Sequence, residues 1–335
     1  MNENKMDLSI PYYSDNTRIS NSAIGWFIKN GPLYLKNMLD GKEEGITGSF
    51  LEKGTMIHEY ILQPEEFWKD YMIVDFTTPR VSQQREFCEC YAHLSLVEPL
   101  ESKEVLALKA YRQSYSNNKK DEVVIADALK LIDEYSGYIE YCKNKDTKKI
   151  ISFADLQNLK KIKSNLEEHK KANELLFGLS EDWETHNEFH INWEASQLQV
   201  KCKSLLDRLC INHKEKKIIL IDLKTTQNVY NFAHSVEEYD YYRQITFYYM
   251  AIAWYFKNVL EIDYEEYSFE AYIIAIGKDS EKQIRVFNMY DEKIINNKTD
   301  LISKALQEIS YHISSGQWKH TRNYYENDGI EELCA

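Results

Sequence analysis

The chain has 335 residues, of which 43% are hydrophobic, and a formal net charge of −13 at pH 7. This length allows one large domain or two small ones with a full hydrophobic core. Only 11 glycines and 5 prolines exclude a low-complexity or linker-rich chain. No apolar run approaches the ~20 residues of a membrane span, and the polar start MNENKMD is not that of a signal peptide.

The predicted elements run from helices to strands and back to helices. Helices are predicted between about residues 20 and 70, followed by a short strand at 71–76 and by helices at about 83–117, 122–143 and 153–177. Strands follow at 186–194, 198–211 and 216–226, then an amphipathic helix at about 236–258, strands at FEAYIIAIG and QIRVFNMY, and a last helix at 291–315.

This order of elements predicts an α+β protein whose sheet is flanked by helices. We expect a single domain over residues 1–317 that carries a helical insertion at about 83–180. The tail at 318–335 shows no apolar periodicity, so we expect it to be loosely held.

The cysteines bear on the compartment. Six of them are scattered along the chain without a C-x-x-C pair, at positions 88, 90, 142, 202, 210 and 334. This pattern indicates reduced thiols. We therefore expect a cytoplasmic protein that does not contact a membrane.

The most informative stretch is DRLCINHKEKKIILIDLKTT, which begins at Asp207. Two apolar strands joined by the polar turn NHKEKK predict a hairpin that brings Asp207 beside Asp222. Because side chains alternate along a strand, Asp222 and Lys224 must point to the same face. Two carboxylates beside a lysine suit a hard divalent cation and a water activated next to it, whereas unpaired buried carboxylates would only destabilise a fold. We therefore predict metal-dependent phosphodiester cleavage.

The spacing from Asp207 to the triplet Asp222-Leu223-Lys224 resembles the PD-(D/E)xK nuclease superfamily. Other stretches are similar, in the right order, to its exonuclease VIII-like and RecB-like branch. They are GTMIHEYILQPEEF (54–67) with His58, NEFHINW (187–193) with Glu188, DLKTT (222–226), and YYRQITFYYMA (241–251) with Gln244 and Tyr248. The segment ISNSAIGWFIKNGPLYLK (19–36) is similar to the first helix of these proteins, and the resemblance departs in the long helical stretch between His58 and Glu188.

This resemblance implies a restriction-endonuclease-like core, a central mixed sheet flanked by helices, with a metal-dependent active site. The ligands of Mg²⁺, or of Mn²⁺ in its place, would be His58, Asp207, Asp222 and the backbone carbonyl of Leu223. The catalytic residues would be Asp207, Asp222, Lys224, Glu188, Gln244 and Tyr248. Lys224 would orient the attacking water or stabilise the charge of the pentacovalent phosphate, and a salt bridge to Asp222 is compatible with both roles.

Three of these residues could instead have a purely structural role, and for Glu188 the nearby Glu184 and Glu194 are alternatives. His58 lies between apolar residues of its predicted helix and could be a satisfied core histidine. Gln244 and Tyr248 are one helical turn apart, which ordinary helix packing also explains. Glu188 has acidic neighbours, but it opens the strand run FHIN as the glutamate of the family does.

The net charge does not decide nucleic-acid binding, which depends on where the basic residues lie. The helix segment KKIKSNLEEHKK (160–171) carries five lysines against two glutamates. We predict DNA contacts from Lys160, Lys163 and Lys171, although a solvated helix face explains them equally well. Arg243 and its neighbouring tyrosines would stack on frayed bases or pack within the protein.

These features predict a Mg²⁺-dependent exodeoxyribonuclease that degrades duplex DNA from free ends and supplies single strands for phage-type recombination. The resemblance also implies a homo-oligomeric ring and a single-strand annealing protein as partner. No G-x-x-x-x-G-K-[ST] phosphate loop is present, so we expect no ATPase motor in this sequence. Some relatives in the superfamily hold an iron–sulfur cluster with four cysteines, three of them near the C-terminus. Here only Cys334 lies near that end, so we expect no such cluster. The alternatives are a structure- or site-specific endonuclease of the same superfamily and a catalytically silent DNA-binding or inhibitory module.

Overall fold

The computed structural model describes Met6 and residues 8–43, 49–116, 118–195 and 198–331, with the backbone alone for 49–52. The start MNENKMD, apart from Met6, and Cys334 lie outside the described residues. The chain divides into two compact units. One comprises Met1–Leu62 together with Ile162–Ala335, and the other comprises Gln63–Lys161.

The elements before the central sheet are mostly helical. In chain order they are α1 (Asn21–Leu39), α2 (Ser49–Leu62), α3 (Pro64–Asp70), β1 (Tyr71–Val74), α4 (Ser82–Val97), α5 (Lys103–Ser114), α6 (Asp121–Glu134), α7 (Ser136–Asn144), β2 (Lys149–Ser152), α8 (Phe153–Glu168) and α9 (Lys170–Leu176). The rest of the chain forms β3 (Glu184–Ala195), β4 (Val200–Asn212), β5 (Lys217–Thr226), α10 (Phe232–Glu238), α11 (Tyr241–Tyr255), β6 (Ser268–Gly277), β7 (Ile284–Asn288), α12 (Glu292–Ser315) and α13 (Arg322–Glu326).

A five-stranded mixed sheet with the order β3-β4-β5-β6-β7 forms the centre of the first unit. The β5–β6 pair is parallel, and the other three neighbouring pairs are antiparallel. Helices α11 and α12 cover its apolar residues in one hydrophobic core. This is the α+β, restriction-endonuclease-like core that the sequence predicts, so that prediction is confirmed.

The hairpin predicted around NHKEKK is confirmed between β4 and β5. Its antiparallel pairing extends as far as Arg208 with Ile221. The Asn212 side chain holds the turn, because its Oδ1 accepts hydrogen bonds from the amides of Lys214 at 3.0 Å and Glu215 at 2.9 Å. A side chain that satisfies turn amides in this way fixes the register of both strands.

Two neighbouring parallel strands need a crossover between them, and α10 and α11 provide the one between β5 and β6. The prediction of a single helix at about 236–258 is wrong, because the chain forms two helices there, α10 and α11. Asp240, whose backbone is left-handed with φ +50°, separates them. Asp240 caps α11 by accepting a hydrogen bond from the amide of Arg243 at 3.3 Å. Further along α11, Phe247 is fully buried and its ring lies 5.0 Å from that of Trp193 on β3.

The second unit contains α4 to α7 around its own hydrophobic core, and a parallel pair of short strands, β1 and β2. The helices predicted at about 83–117, 122–143 and 153–177 are each divided in two. The first division has a clear cause, since Pro99 disfavours a continuing helix and Ser102 caps α5 by accepting from the amide of Val105. No strand was predicted from the sequence at the position of β2. The insertion expected at about 83–180 overlaps this unit at 83–161.

In the part of the chain that the structure describes, no helix is both long enough and apolar enough to cross a membrane.

Candidate metal-dependent active site

Three acidic residues lie in a row across the strands β3, β4 and β5. The last antiparallel pair of β4 and β5 is Arg208 with Ile221, so Asp207 and Asp222 are the next residues in register. Across β3 and β4, the pairing of the flanking residues puts Glu188 opposite Asp207. Directly opposed residues point to the same face of a sheet, and the three carboxylates therefore share one face.

Glu188 has an unusual backbone. Its φ is +48°, in the left-handed region that side chains other than glycine rarely adopt. Glu188 also forms no ladder pair with β4, although its neighbours Asn187 and Phe189 do. Strained backbones of this kind cluster at functional sites, and here the strain falls on a carboxylate beside Asp207.

Asp207 is 8% exposed and bonds to the backbone of β5. Its Oδ2 accepts a hydrogen bond from the amide of Leu223 at 2.7 Å, where the regular pairing of β4 and β5 has ended. The carboxylate thus satisfies a buried amide that the ladder leaves without its usual partner.

His58 on α2 completes a compact group of ligand atoms. Its Nδ1 lies 3.6 Å from Asp207 Oδ2 and 3.8 Å from Glu188 Oε1. One ligand atom from each of these three residues lies within 4.8 Å of the others. On its other side, Nε2 of His58 lies 3.0 Å from the carbonyl oxygen of Leu223, to which it donates when this nitrogen carries the proton.

Asp222 is 1% exposed and is held by two side chains that the sequence placed near it. The ammonium of Lys224 lies 2.5 Å from Asp222 Oδ2. The side-chain amide of Gln244 on α11 donates to Asp222 Oδ1 at 3.1 Å and to the hydroxyl of Tyr248 at 3.0 Å. The Gln244 and Tyr248 pair therefore points into the site, and its contact with Asp222 goes beyond ordinary helix packing.

The charges of the site act strongly on one another. Burial raises the pKa of Asp222 to about 6, with Lys224 opposing this shift and Asp207 adding to it. Burial lowers the pKa of His58, but Asp207 and Glu188 outweigh it and bring that pKa to about 9. Burial also disfavours the charged form of Lys224, and the two aspartates reverse this effect, so its pKa lies above the ordinary value. The site therefore attracts positive charge.

The residues present fit a divalent cation. Carboxylate oxygens and one imidazole form a donor set that Mg²⁺ accepts and that Mn²⁺ accepts more readily through its affinity for nitrogen. Asp222 Oδ2 is buried and has no hydrogen bond of good geometry despite its ion pair with Lys224. Among the described residues, the group within 4.8 Å comprises His58, Glu188 and Asp207, so Glu188 joins it and Asp222 lies beside it.

The family model of DUF3799, described as a PDDEXK-like domain of unknown function, matches residues 28–321. The chain belongs to this family. It is thereby a member of the PD-(D/E)xK nuclease superfamily, whose enzymes use divalent metals. No curated protein matches the sequence. A crystal structure described as a "Putative exonuclease" from Eubacterium rectale is similar, with 13% identity over 97% of this chain and 94% of that chain and a TM-score of 0.49. The assignment of this chain to its family therefore rests on the family model alone.

The three lysines predicted to bind DNA lie on α8 and α9. Lys160 is exposed, Lys163 forms an ion pair with Glu167 at 2.6 Å, and Lys171 forms one with Glu174 at 2.7 Å. DNA binding by these lysines stays a prediction.

Arg243 differs from the lysines because it is 6% exposed. Its guanidinium lies against α1, where a Cβ added at Gly25 would approach it within 2.8 Å. In this conformation Arg243 joins α11 to α1 and presents no surface to a base.

Sequence reasoning missed Tyr13. Although this side chain is 82% exposed, partial burial of its hydroxyl and the charges of Glu188 and Asp207 raise its pKa. The segment is anchored by the ammonium of Lys203, which donates to the carbonyls of Tyr12 and Asp15 at 2.6 Å each. No periodicity or motif marks Tyr13, since its place depends on a contact between residues far apart in sequence.

Proposed function

We propose that this protein is a Mg²⁺-dependent exodeoxyribonuclease that hydrolyses phosphodiester bonds from the ends of duplex DNA. The observation that carries the proposal is the row of Glu188, Asp207 and Asp222 across three neighbouring strands, with Lys224 paired to Asp222. A strained backbone at Glu188 and a buried carboxylate at Asp222 both lower the stability of the fold. A role in metal-dependent hydrolysis accounts for their presence.

The ion would be held by Nδ1 of His58 together with Glu188, Asp207 and Asp222. The Leu223 carbonyl, expected as a further ligand, lies instead at Nε2 on the other side of the imidazole. When bound, such an ion lowers the pKa of a coordinated water and neutralises charge on the phosphate. Because Asp222 and Asp207 raise the pKa of Lys224, its ammonium stays protonated, and it donates to the attacking water or to a phosphate oxygen as negative charge develops there.

Gln244 and Tyr248 act by positioning. Gln244 holds Oδ1 of Asp222, and its contact with the Tyr248 hydroxyl limits how far the amide can swing away. Fixing Asp222 from α11 on one side and from Lys224 on the other keeps the carboxylate aligned.

The preference for DNA ends is the finer part of the proposal. It is supported by the resemblance of the chain to exonuclease VIII-like nucleases, and it is compatible with a sequence that contains no phosphate-binding loop for a motor. We propose further that the enzyme acts as a homo-oligomeric ring and passes single strands to an annealing protein in phage-type recombination. A ring would place basic residues toward the DNA and leave the excess acidic charge in solvent.

The deciding experiment compares one plasmid in linear, nicked and covalently closed forms, each with Mg²⁺, Mn²⁺ or Ca²⁺. We expect nucleotide release from the linear form with Mg²⁺ or Mn²⁺, none from the closed circle, and DNA binding without turnover in Ca²⁺. The variant Asp222→Asn serves as the control for contaminating nuclease. Cleavage of the closed circle would replace the exonuclease with an endonuclease, and no cleavage of any form would support a silent DNA-binding module.

A further inference from the structure

A stack of aromatic rings passes beside Lys224. The ring of Tyr241 lies 5.3 Å from the Lys224 ammonium. It is stacked on Tyr239, with centroids 5.8 Å apart and planes 27° apart, and on Phe232, at 5.8 Å and 26°. Phe232 is in turn stacked on Phe287 of β7, at 5.0 Å and 19°. Four near-parallel rings therefore form one stack that contacts the site through Tyr241.

The stack ends in solvent at Tyr239, which is 54% exposed. Its inner face contacts Tyr241, and no other ring contact of Tyr239 occurs among the described residues. A half-exposed ring with one ring neighbour can accept a further flat ring in a parallel stack.

The position of Tyr239 is fixed by its neighbour. Asp240 caps α11 and forms an ion pair with Lys298 of α12 at 2.7 Å. The Arg243 guanidinium lies 3.6 Å from the same carboxylate. Since α11 and α12 both hold Asp240, the backbone next to Tyr239 is anchored, which lowers the entropic cost of ordering this segment on binding.

The other end of the stack carries a positive charge. The guanidinium of Arg285 lies 5.2 Å from the Phe287 ring and 5.4 Å from the ring of Tyr230, which is 72% exposed. Among the described residues, no carboxylate pairs with Arg285. An exposed aromatic ring beside an unpaired guanidinium is the combination that binds the bases and backbone of single-stranded nucleic acid.

We propose that Tyr239, Tyr230 and Arg285 form a stacking platform for unpaired DNA bases beside the active site. Tyr239 receives the base next to the phosphate that Lys224 contacts, and Tyr230 with Arg285 receives the strand farther along. This inference rests on the proposed function and specifies its substrate, a strand that is frayed from the duplex end.

Single-stranded DNA fits this surface better than duplex DNA does. The faces of paired bases are stacked within a duplex and are not accessible to a protein ring, whereas a frayed base exposes both faces. Beside Tyr239 the charges of Glu238 and Asp240 are set against Lys298, which pairs with Asp240. Stacking of a base on the exposed ring is therefore the contribution that is specific to an unpaired strand.

The test uses binding in EDTA, where the proposed hydrolysis is off. Two single-stranded oligodeoxynucleotides carry 2-aminopurine at the 5′ or the 3′ end, since polarity is open, and stacking on a ring quenches this fluorophore. The variants are Tyr239→Ala, Tyr239→Phe and Tyr230→Ala. Tyr325→Ala is the matched control, because the aromatic partners of its ring among the described residues are His320 and Tyr324, which belong to neither the stack nor the metal site. Thermal melting of every variant reports on folding.

We expect Tyr239→Ala to lose the quenching of one labelled end and to weaken binding by about 5- to 150-fold, the range for one base–aromatic stack. Tyr239→Phe keeps the ring and should match the wild type, as should Tyr325→Ala. Wild-type quenching and affinity in a folded Tyr239→Ala overturn the proposal, and so does an equal loss in Tyr239→Phe, which would assign the effect to the hydroxyl.

The two proposals fail in different ways. If the wild type quenches the fluorophore through Tyr239 but hydrolyses no DNA with Mg²⁺ or Mn²⁺, the proposed function is wrong and the platform stands. If the wild type hydrolyses linear DNA and folded Tyr239→Ala does so with an unchanged KM, the platform is wrong and the nuclease stands.

Discussion

The carboxylate of Asp207 accepts a hydrogen bond from the backbone amide of Leu223, with 2.7 Å between Oδ2 and the nitrogen. The carbonyl of the same Leu223 lies 3.0 Å from Nε2 of His58. Leu223 is 1% exposed, so water cannot replace either partner. Two residues proposed as metal ligands therefore also fix the backbone that carries Asp222 and Lys224.

Because Asp207 has both roles, Asp207→Ala and Asp207→Asn should differ in stability although both lose activity. Asp207→Ala leaves the buried Leu223 amide without an acceptor, so we expect the free energy of unfolding to fall by about 1–3 kcal/mol. Asp207→Asn keeps an acceptor oxygen, and its free energy of unfolding should fall by less. Both variants should lose DNA cleavage and weaken metal binding, because neither supplies a carboxylate. Denaturant unfolding in EDTA and metal titration by calorimetry measure the two effects. Equal stabilities of the two variants would contradict the role of the hydrogen bond.

Lys224→Ala should abolish cleavage while the protein stays able to bind metal. The ammonium is no metal ligand, and its removal takes a positive charge away from the developing negative charge on the phosphate. We expect kcat to fall at least about 100-fold and the metal dissociation constant to stay within a few-fold of wild type. The comparison variant is Asp222→Ala, which should lose both properties. Cleavage by Asp222→Ala at more than a few per cent of wild type, with contamination excluded, would falsify the assigned site.

The strained backbone of Glu188 predicts a trade between stability and activity. Asparagine tolerates a left-handed φ better than glutamate does, so Glu188→Asn should melt at or above the wild-type temperature in EDTA. The same variant loses a carboxylate beside Asp207 and should need more Mg²⁺ for half-maximal cleavage. Melting curves and Mg²⁺ titrations on one preparation test both statements. A clearly lower melting temperature with an unchanged Mg²⁺ requirement would show that Glu188 is structural.

Much of this site follows from local rules of sequence. Alternation along a strand put Asp222 and Lys224 on one face, and a polar turn between apolar strands put Asp207 beside Asp222. Those rules act over a few residues, so they hold before any tertiary contact is known. The left-handed φ of Glu188 and the break at Asp240 depend on how the surrounding elements pack, which a residue pattern does not encode. Tyr13, whose pKa the charges of Glu188 and Asp207 raise, belongs to a segment that Lys203 holds through a contact across about 190 residues.

The lysine helix gives a prediction about salt. If Lys160, Lys163 and Lys171 bind phosphates, their combined reversal to glutamate should weaken DNA binding and reduce the slope of log affinity against log salt by roughly 0.9 for each phosphate that is no longer neutralised. In the free protein, Glu167 and Glu174 pair with two of these lysines, so DNA would have to compete for them. Binding measured in Ca²⁺ between low and moderate salt provides the slope. An unchanged slope and affinity would show that the three lysines form a solvated helix face.

The last prediction concerns His58, whose ring lies between Leu223 and the carboxylates of Asp207 and Glu188. If His58 is a metal ligand, His58→Ala should need a higher metal concentration than the wild type for half-maximal cleavage. Excess Mn²⁺, which accepts imidazole more readily than Mg²⁺ does, should then stimulate the wild type more than the variant.

As a packed core histidine, His58 would have a different effect. Its loss would lower the melting temperature in EDTA and leave the metal titration unchanged. His58→Gln is the comparison variant, because it keeps a hydrogen-bonding group near the Leu223 carbonyl and lacks the imidazole. We expect a raised metal requirement in both variants, with the smaller loss of thermal stability in His58→Gln. Titrations that coincide with wild type in both would remove His58 from the metal site, and the Leu223 carbonyl contact would then be its whole role.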